Sequence, residues 1–170
     1  MTSRDQQDLR VTATPAAVAM LDRAVADYYG WTGDPVALMY AAVEEDSAFA
    51  LGHAVLASLY ALNGMPGGSE PVQDSLRKAE AAIAGTRTRE QRHLAAAKAL
   101  SRGEMIAATN IWEDILIDHP RDALALRFAH DTYFYLGHSQ SIRDSVARVL
   151  PAWDRENPNY GFVLGQYAFG

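Results

Sequence analysis

Nine stretches of this chain are each too short and too one-sided to be stable alone. Eight segments, about 15–29, 35–45, 48–63, 71–84, 88–102, 104–118, 122–136 and 139–150, follow one another with tight turns between them, and a ninth begins near Tyr160. Their apolar residues recur three and four apart, as at Leu94, Ala97 and Leu100 or at Ile111 and Ile115, which is the spacing of one helix face. A single hairpin of such helices cannot bury its own apolar stripe, so the segments must stack on one another. Nowhere do several β-branched residues alternate with polar ones, and the chain is read with no sheet at all.

The punctuation agrees with that reading. Thr14-Pro15, Asp34-Pro35, Glu70-Pro71 and Thr88 with Gln91 three residues on all look like helix starts. A capping oxygen accepts a bond from an otherwise orphaned amide, and proline in the first turn loses nothing by lacking an N–H. Gly30, Gly64, Gly85, Gly103 and Gly137 each follow an apolar-periodic segment, where a left-handed residue closes a helix.

Composition narrows the chemistry. With 49% apolar and 21% charged residues, 170 residues suffice for a substantial core. The net charge of −6 and the scattered basic residues argue against a nucleic-acid partner. No apolar run approaches the roughly 20 residues that cross a bilayer, and the N-terminus is polar, so we expect a cytoplasmic protein that does not enter membranes. Zero Cys removes disulfides, thiolate metal sites and cysteine nucleophiles. His, carboxylates, Tyr, Ser and Arg are left to carry any function.

An internal repeat underlies the segments. The helix-ending Leu62 and Leu136 stand 74 residues apart, two periods of 37, and a middle unit ends between them at Leu100-Ser101-Arg102-Gly103. From Ala123 to Asp154 the chain resembles one tetratricopeptide repeat, with Leu126, Ala129-His130, Tyr133, Leu136-Gly137, Ile142, Val146 and Val149 at the matching positions. The preceding unit matches through Ala95-Ala96, Ala99, Ala108, Trp112, Ile115 and Pro120. Small residues at Ala96 and Ala108 would let two helices approach, while Trp112 and Tyr133 fill the space between neighbours. The fold expected is therefore all-α, tetratricopeptide-like helix-turn-helix repeats stacked as a right-handed α-solenoid. It forms one segment over 1–170 with units at about 15–46, 48–85, 88–121 and 122–156 and an incomplete unit at 159–170.

A narrower likeness covers nearly the whole chain. Phe49-Ala50-Leu51-Gly52-His53-Ala54, Thr88-Arg89-Glu90-Gln91, the run from Leu126 to Gly137, and Arg143-Asp144-Ser145-Val146-Ala147-Arg148 resemble the N-terminal part of the tetratricopeptide repeat protein 38 family. Members of that family are longer and continue with more helices. The resemblance implies a fold and no particular activity. It also implies that the last helix, with Phe162, Leu164 and Phe169, has lost a covering partner, and an uncapped apolar helix of this kind is expected to associate with a second copy of the chain.

By the same resemblance, the first helix of each pair lines a concave groove at His53, His93, Arg127, Asp131, Phe134 and Tyr135. Arg127, Asp131 and Tyr135 are spaced four apart on one helix face, so a cation, a carboxylate and a phenol share one side. Arg127 could clamp a carboxylate or phosphate with Phe134 and Tyr135 as walls, or it could simply pair with Asp131 on the surface. His130 stands where the repeat prefers a small residue and needs a hydrogen-bond partner, for which Asp144 and Ser145 are the candidates. Arg143, Asp144 and Arg148 form a mixed-charge face read as structural, and Glu44-Glu45-Asp46 as solvated. The glycine-rich turn from Gly64 to Gly68 lacks the Lys-Ser/Thr of a phosphate loop and reads as a flexible connection. No metal set or cofactor motif is expected.

Two functions are compatible with this pattern. The first is a scaffold that binds a protein or peptide partner in the groove. The second is part of an enzyme in which His130, Asp131 and Tyr135 face a pocket completed by further helices, with His130 as general base.

Overall fold

Helices begin where a capping side chain meets a first-turn proline. In the computed structural model, which describes residues 1–170, Thr14 accepts the Ala17 amide to open α1 (Pro15–Gly30) and Asp34 accepts the Ala37 amide to open α2 (Pro35–Glu45). There follow α3 (Ala50–Leu62), α4 (Glu70–Ala82), α5 (Thr88–Ser101), α6 (Met105–Asp118), α7 (Ala123–Leu136), α8 (Ser139–Val149), a 3-10 turn (Leu150–Ala152) and α9 (Tyr160–Phe169).

Three local expectations need correcting. The capping box of α5 sits one residue early: Thr88 is already helical, and the Glu90 carboxylate reaches back to the Arg87 amide at 2.9 Å, because Glu reaches a cap amide that Gln91, one position on, does not. The left-handed residue that ends α1 is Trp31, with φ of 53°, so Gly30 remains inside the helix. The turn after α3 is not merely a flexible connection. A side chain at Gly67 would lie 1.8 Å from the Ser101 carbonyl oxygen, so the glycine is what lets the turn sit on the end of α5.

The chain is also not free of sheet. Ser3–Arg4 (β1) and Arg10–Val11 (β2) pair antiparallel in register Ser3 with Val11 and Arg4 with Arg10. Two residues per strand are too few to show alternation, and tertiary bonds fix this hairpin. The Thr12 amide and hydroxyl donate to the Glu90 carboxylate at 2.7 and 2.8 Å, and Gln7 donates to the Pro158 carbonyl.

Consecutive helices pack in pairs, α1 with α2, α3 with α4, α5 with α6 and α7 with α8. Across the pairs α2 meets α3, α3 meets α5, α6 meets α7, and α9 closes on α8. The central helix is α3, in which eleven of thirteen residues are buried, the mark of a helix enclosed on all sides. Trp112 and Phe128, fully buried with ring centroids 5.5 Å apart, fill the seam between α6 and α7, and Ala96 and Ala108 are buried completely as close contacts require.

The array also bends back so that α1 touches α7. Tyr29 donates its hydroxyl to the Ala123 carbonyl at 2.9 Å, and Tyr28 donates to Asp131 at 2.5 Å. Below that seam lies a buried charge network. Asp122 accepts from Arg89 Nε at 2.5 Å and from His93 Nε2 at 2.9 Å, and it caps the Ala125 amide of α7. Arg89 turns its other end to Asp5 at 3.2 Å. Burial alone would raise the Asp122 carboxyl, but Arg89 and His93 beside it hold it well below the usual carboxylate range.

Candidate functional site

The position of α7 is set from both ends. Asp122 caps its start, and Gly137, with φ of 70°, ends it in the left-handed conformation. Nine of its fourteen residues are buried, so little of it faces outward. Phe134 and Tyr135 do, and the side of α7 that carries them together with the enclosed Arg127 and Asp131 meets the end of α1 and α9 at a cleft of about 490 Å³. The walls are Tyr28, Tyr29 and Trp31 from α1 and its cap, Arg127, His130, Asp131, Phe134 and Tyr135 from α7, and Gly161, Phe162, Gly165, Gln166 and Phe169 from α9, with Asn63 at one edge.

Arg127 is not an open groove residue. It is 5% exposed, pairs with Asp131 through Nη2 at 3.2 Å, and has its guanidinium 5.0 Å from the Tyr28 ring, 5.7 Å from Tyr29 and 5.2 Å from Trp31. The surface i,i+4 pair is therefore buried, because α1 folds over it. Three rings around one cation within about 6 Å form an aromatic cage. Trp31 reaches this cage from a left-handed backbone, a conformation costly for a bulky residue, and its indole is still 84% exposed at the rim.

Electrostatics follow from this enclosure. Burial raises the Asp131 carboxyl above its ordinary value, opposed by Arg127 and by the Tyr28 hydroxyl. Burial and Asp131 together push the Tyr28 phenol well above its ordinary range. His130 is lowered to about 4, first by burial and then by the Arg127 charge, so it is a neutral imidazole at pH 7. Its ring lies tilted at 45° against Phe169 with centroids 5.8 Å apart, and Phe169 in turn meets Phe134 at 5.9 Å.

Polar bonding within the cleft is incomplete. Arg127 Nε, His130 Nδ1 and both amide atoms of Gln166 have no hydrogen-bond partner within the protein, although their residues are 5%, 6% and 5% exposed. Burying such groups unpaired costs about 1–3 kcal/mol each. Elsewhere the buried ionised groups Arg89, Asp122 and Glu90 are bonded.

Of the residues expected in a groove, Arg127, Asp131, Phe134, Tyr135 and also His130 line this cleft, and two others lie elsewhere. His53 is enclosed with the rest of α3 and its Nε2 meets the Ser47 carbonyl at 3.1 Å. His93 belongs to the Asp122 network. Neither expected partner of His130 bonds to it: Asp144 is taken by its neighbour Arg143 at 2.9 Å on the exposed face of α8, and Ser145 Oγ is itself unpartnered. Arg148 pairs with Glu113 on α6. Tyr135 directs its hydroxyl to the Leu62 carbonyl, not to Asp131. Asp46 is not simply solvated, since it accepts the Thr14 amide at 2.8 Å. No three His, Cys, Asp or Glu side chains converge as a metal site would require.

Sequence reasoning missed Tyr28, Tyr29, Trp31 and Gln166. The run Tyr28-Tyr29-Gly30-Trp31 at a helix end, and one amide in the otherwise apolar or aromatic α9, were the available signals. No protein-family model matches the chain, and no solved structure matches it.

Proposed function

We propose that this chain is a run of tetratricopeptide-type helix-turn-helix repeats, from the N-terminal part of a tetratricopeptide repeat protein 38 family member. We propose further that it is an interaction module taking a peptide of a protein partner in the cleft between α1, α7 and α9. The pairing of consecutive helices and the seating of α3 on α5 support the repeat reading, because stacked hairpins share their core in that way.

One observation carries the function. Of the eleven large apolar side chains that the chain leaves exposed, Trp31, Phe134, Tyr135, Phe162 and Phe169 gather around this one cleft. Clustered exposed aromatics beside a single buried Arg are the composition of a binding surface, since rings offer large contact area at low entropic cost. Selection from random peptides, displayed either with free carboxyl ends or as internal loops, should enrich binders that change the tryptophan fluorescence of the chain but not that of its Trp31→Phe variant. Those binders should lose affinity by about tenfold or more with Phe134→Ser. A selection that enriches nothing, or binders indifferent to Phe134→Ser, would sink the assignment.

The enzyme reading has one favourable observation, that His130, Asp131 and Tyr135 line the same cleft. Their polar atoms are poorly arranged for acid–base work. Asp131 is engaged by Arg127 and Tyr28, Tyr135 by Leu62, and no carboxylate orients His130. Binding is the better-supported reading.

A further inference from the structure

We propose a second binding site, for a phosphorylated sugar or polyol, in the arginine-lined cleft between the N-terminal hairpin and the start of α5. It shares no lining residue with the aromatic cleft and does not depend on the peptide-binding reading.

The site follows from where positive charge goes unmatched. Nine of the thirteen arginines form an ion pair with a carboxylate. Of the four that do not, Arg10 and Arg87 line one cleft of about 380 Å³, and both are exposed, so a solute reaches them. Register adds to the excess. Arg4 and Arg10 are direct partners across the hairpin, so their side chains leave the same face with Cβ atoms about 5 Å apart, where like charges repel. Asp8 answers Arg4, and no carboxylate answers Arg10.

The other carboxylates nearby are already engaged. Asp5 and Asp122 hold Arg89 at the back of the cleft, and the buried Glu90 accepts from Thr12 and from the Arg87 amide. Arg10 from β2 and Arg87 from the cap of α5 thus bring two uncompensated charges to one space, in a chain whose net charge is −6. His119, from the turn between α6 and α7, adds an imidazole to the same wall. Two guanidinium forks and an imidazole, arriving from three elements, exceed what the two oxygens of a carboxylate can use. They suit the three oxygens and the double charge of a phosphate monoester. The amides of Thr88 and Arg89, in a first turn that no side chain caps, find no acceptor in the chain and add to the same field.

The rest of the lining sets the body that carries the phosphate. Leu9 is the one apolar side chain, and no aromatic residue other than His119 is present to stack a base. Past Arg87 and Thr88 the cleft opens into a hollow lined by Thr2, Thr12 and Thr86. Hydroxyls and the Asp8 carboxylate complement a hydroxylated body, since each hydroxyl both donates and accepts.

The test is a heteronuclear NMR titration of the whole chain with ribose 5-phosphate, at an ionic strength held constant with sodium chloride. The amides of Arg10, Arg87 and Thr88 should shift and saturate, with a Kd of about 1 mM or tighter. Arg10→Gln and Arg87→Gln should each weaken binding about tenfold, the loss of a charge-assisted contact. Neither arginine has a carboxylate partner to lose, so the melting temperature should be unchanged, or raised in Arg10→Gln where Arg4 is relieved. Arg121→Gln removes an equally unpaired charge outside the cleft and should leave the affinity as it was. Shifts that never saturate, or equal weakening by all three variants, overturn the site and reduce it to screening of surface charge. Phenyl phosphate binding as tightly as ribose 5-phosphate overturns the sugar or polyol assignment.

Discussion

Replacing Asp122 by Ala removes three contacts at once: the acceptor for Arg89 Nε, the acceptor for His93 Nε2, and the cap on the Ala125 amide. Arg89, 4% exposed, would keep only Asp5 at 3.2 Å as its counter-charge. Stranding one member of a buried pair costs about 3–5 kcal/mol, and losing an N-cap about 1 kcal/mol, so the expected loss is about 4–6 kcal/mol. Domains of this size have only about 5–15 kcal/mol in total, and the variant should be close to unfolded at 25 °C. Asp122→Asn keeps an oxygen for Ala125 and should lose about half as much. Urea denaturation followed by circular dichroism measures each. The discriminating result is the double variant Arg89→Met with Asp122→Leu, which strands no arginine and should recover most of the loss. If it is as unstable as Asp122→Ala, or if Asp122→Ala costs less than about 1 kcal/mol, the buried charge pair is not what holds α7 and the reasoning fails. Because the Asp122 carboxyl is held low, its contribution should be complete above its unfolded value near 3.8 and fade only as pH falls below it.

Three smaller tests address the seams around the cleft. Tyr28→Phe deletes the hydroxyl given to Asp131 and should cost about 1.5–3 kcal/mol in urea denaturation, the range for a hydrogen bond to a charged group; no change would mean that the α1 to α7 seam is held by packing alone. Gly67→Ala drives a methyl into the Ser101 carbonyl and should destabilise by about 1–3 kcal/mol, whereas Gly68→Ala, with nothing within 4 Å, should be neutral or slightly stabilising in the same melt. His130 is lowered to about 4 in the fold, so the unfolded chain binds the proton first; stability should fall as pH drops from 6.5 towards 4, and His130→Leu should remove that part of the pH profile.

Eight helices were legible from local rules to within about two residues at each end, and the start of the ninth near Tyr160, because caps, first-turn prolines and closing glycines act over a few neighbours. The hairpin at Ser3–Arg4 and Arg10–Val11 was not, since bonds to Glu90 and Pro158, far along the chain, hold its segment in place. The candidate site was half legible. The i,i+4 spacing on α7 placed Arg127, Asp131 and Tyr135 on one side, with Phe134 beside them, and all four line the cleft. His53 and His93, expected in the same groove, are instead buried away from the cleft and bonded to the Ser47 carbonyl and to Asp122.

The order of the helices and the polar set on α7 thus follow from periodicity and end chemistry, which depend only on residues a few positions apart. The return of α1 onto α7 depends on Tyr28 and Tyr29 meeting residues about one hundred positions away, contacts that no local rule encodes. That closure turns a surface ion pair into a caged, buried arginine. With the packing of α9, it also converts an open helix face into a cleft.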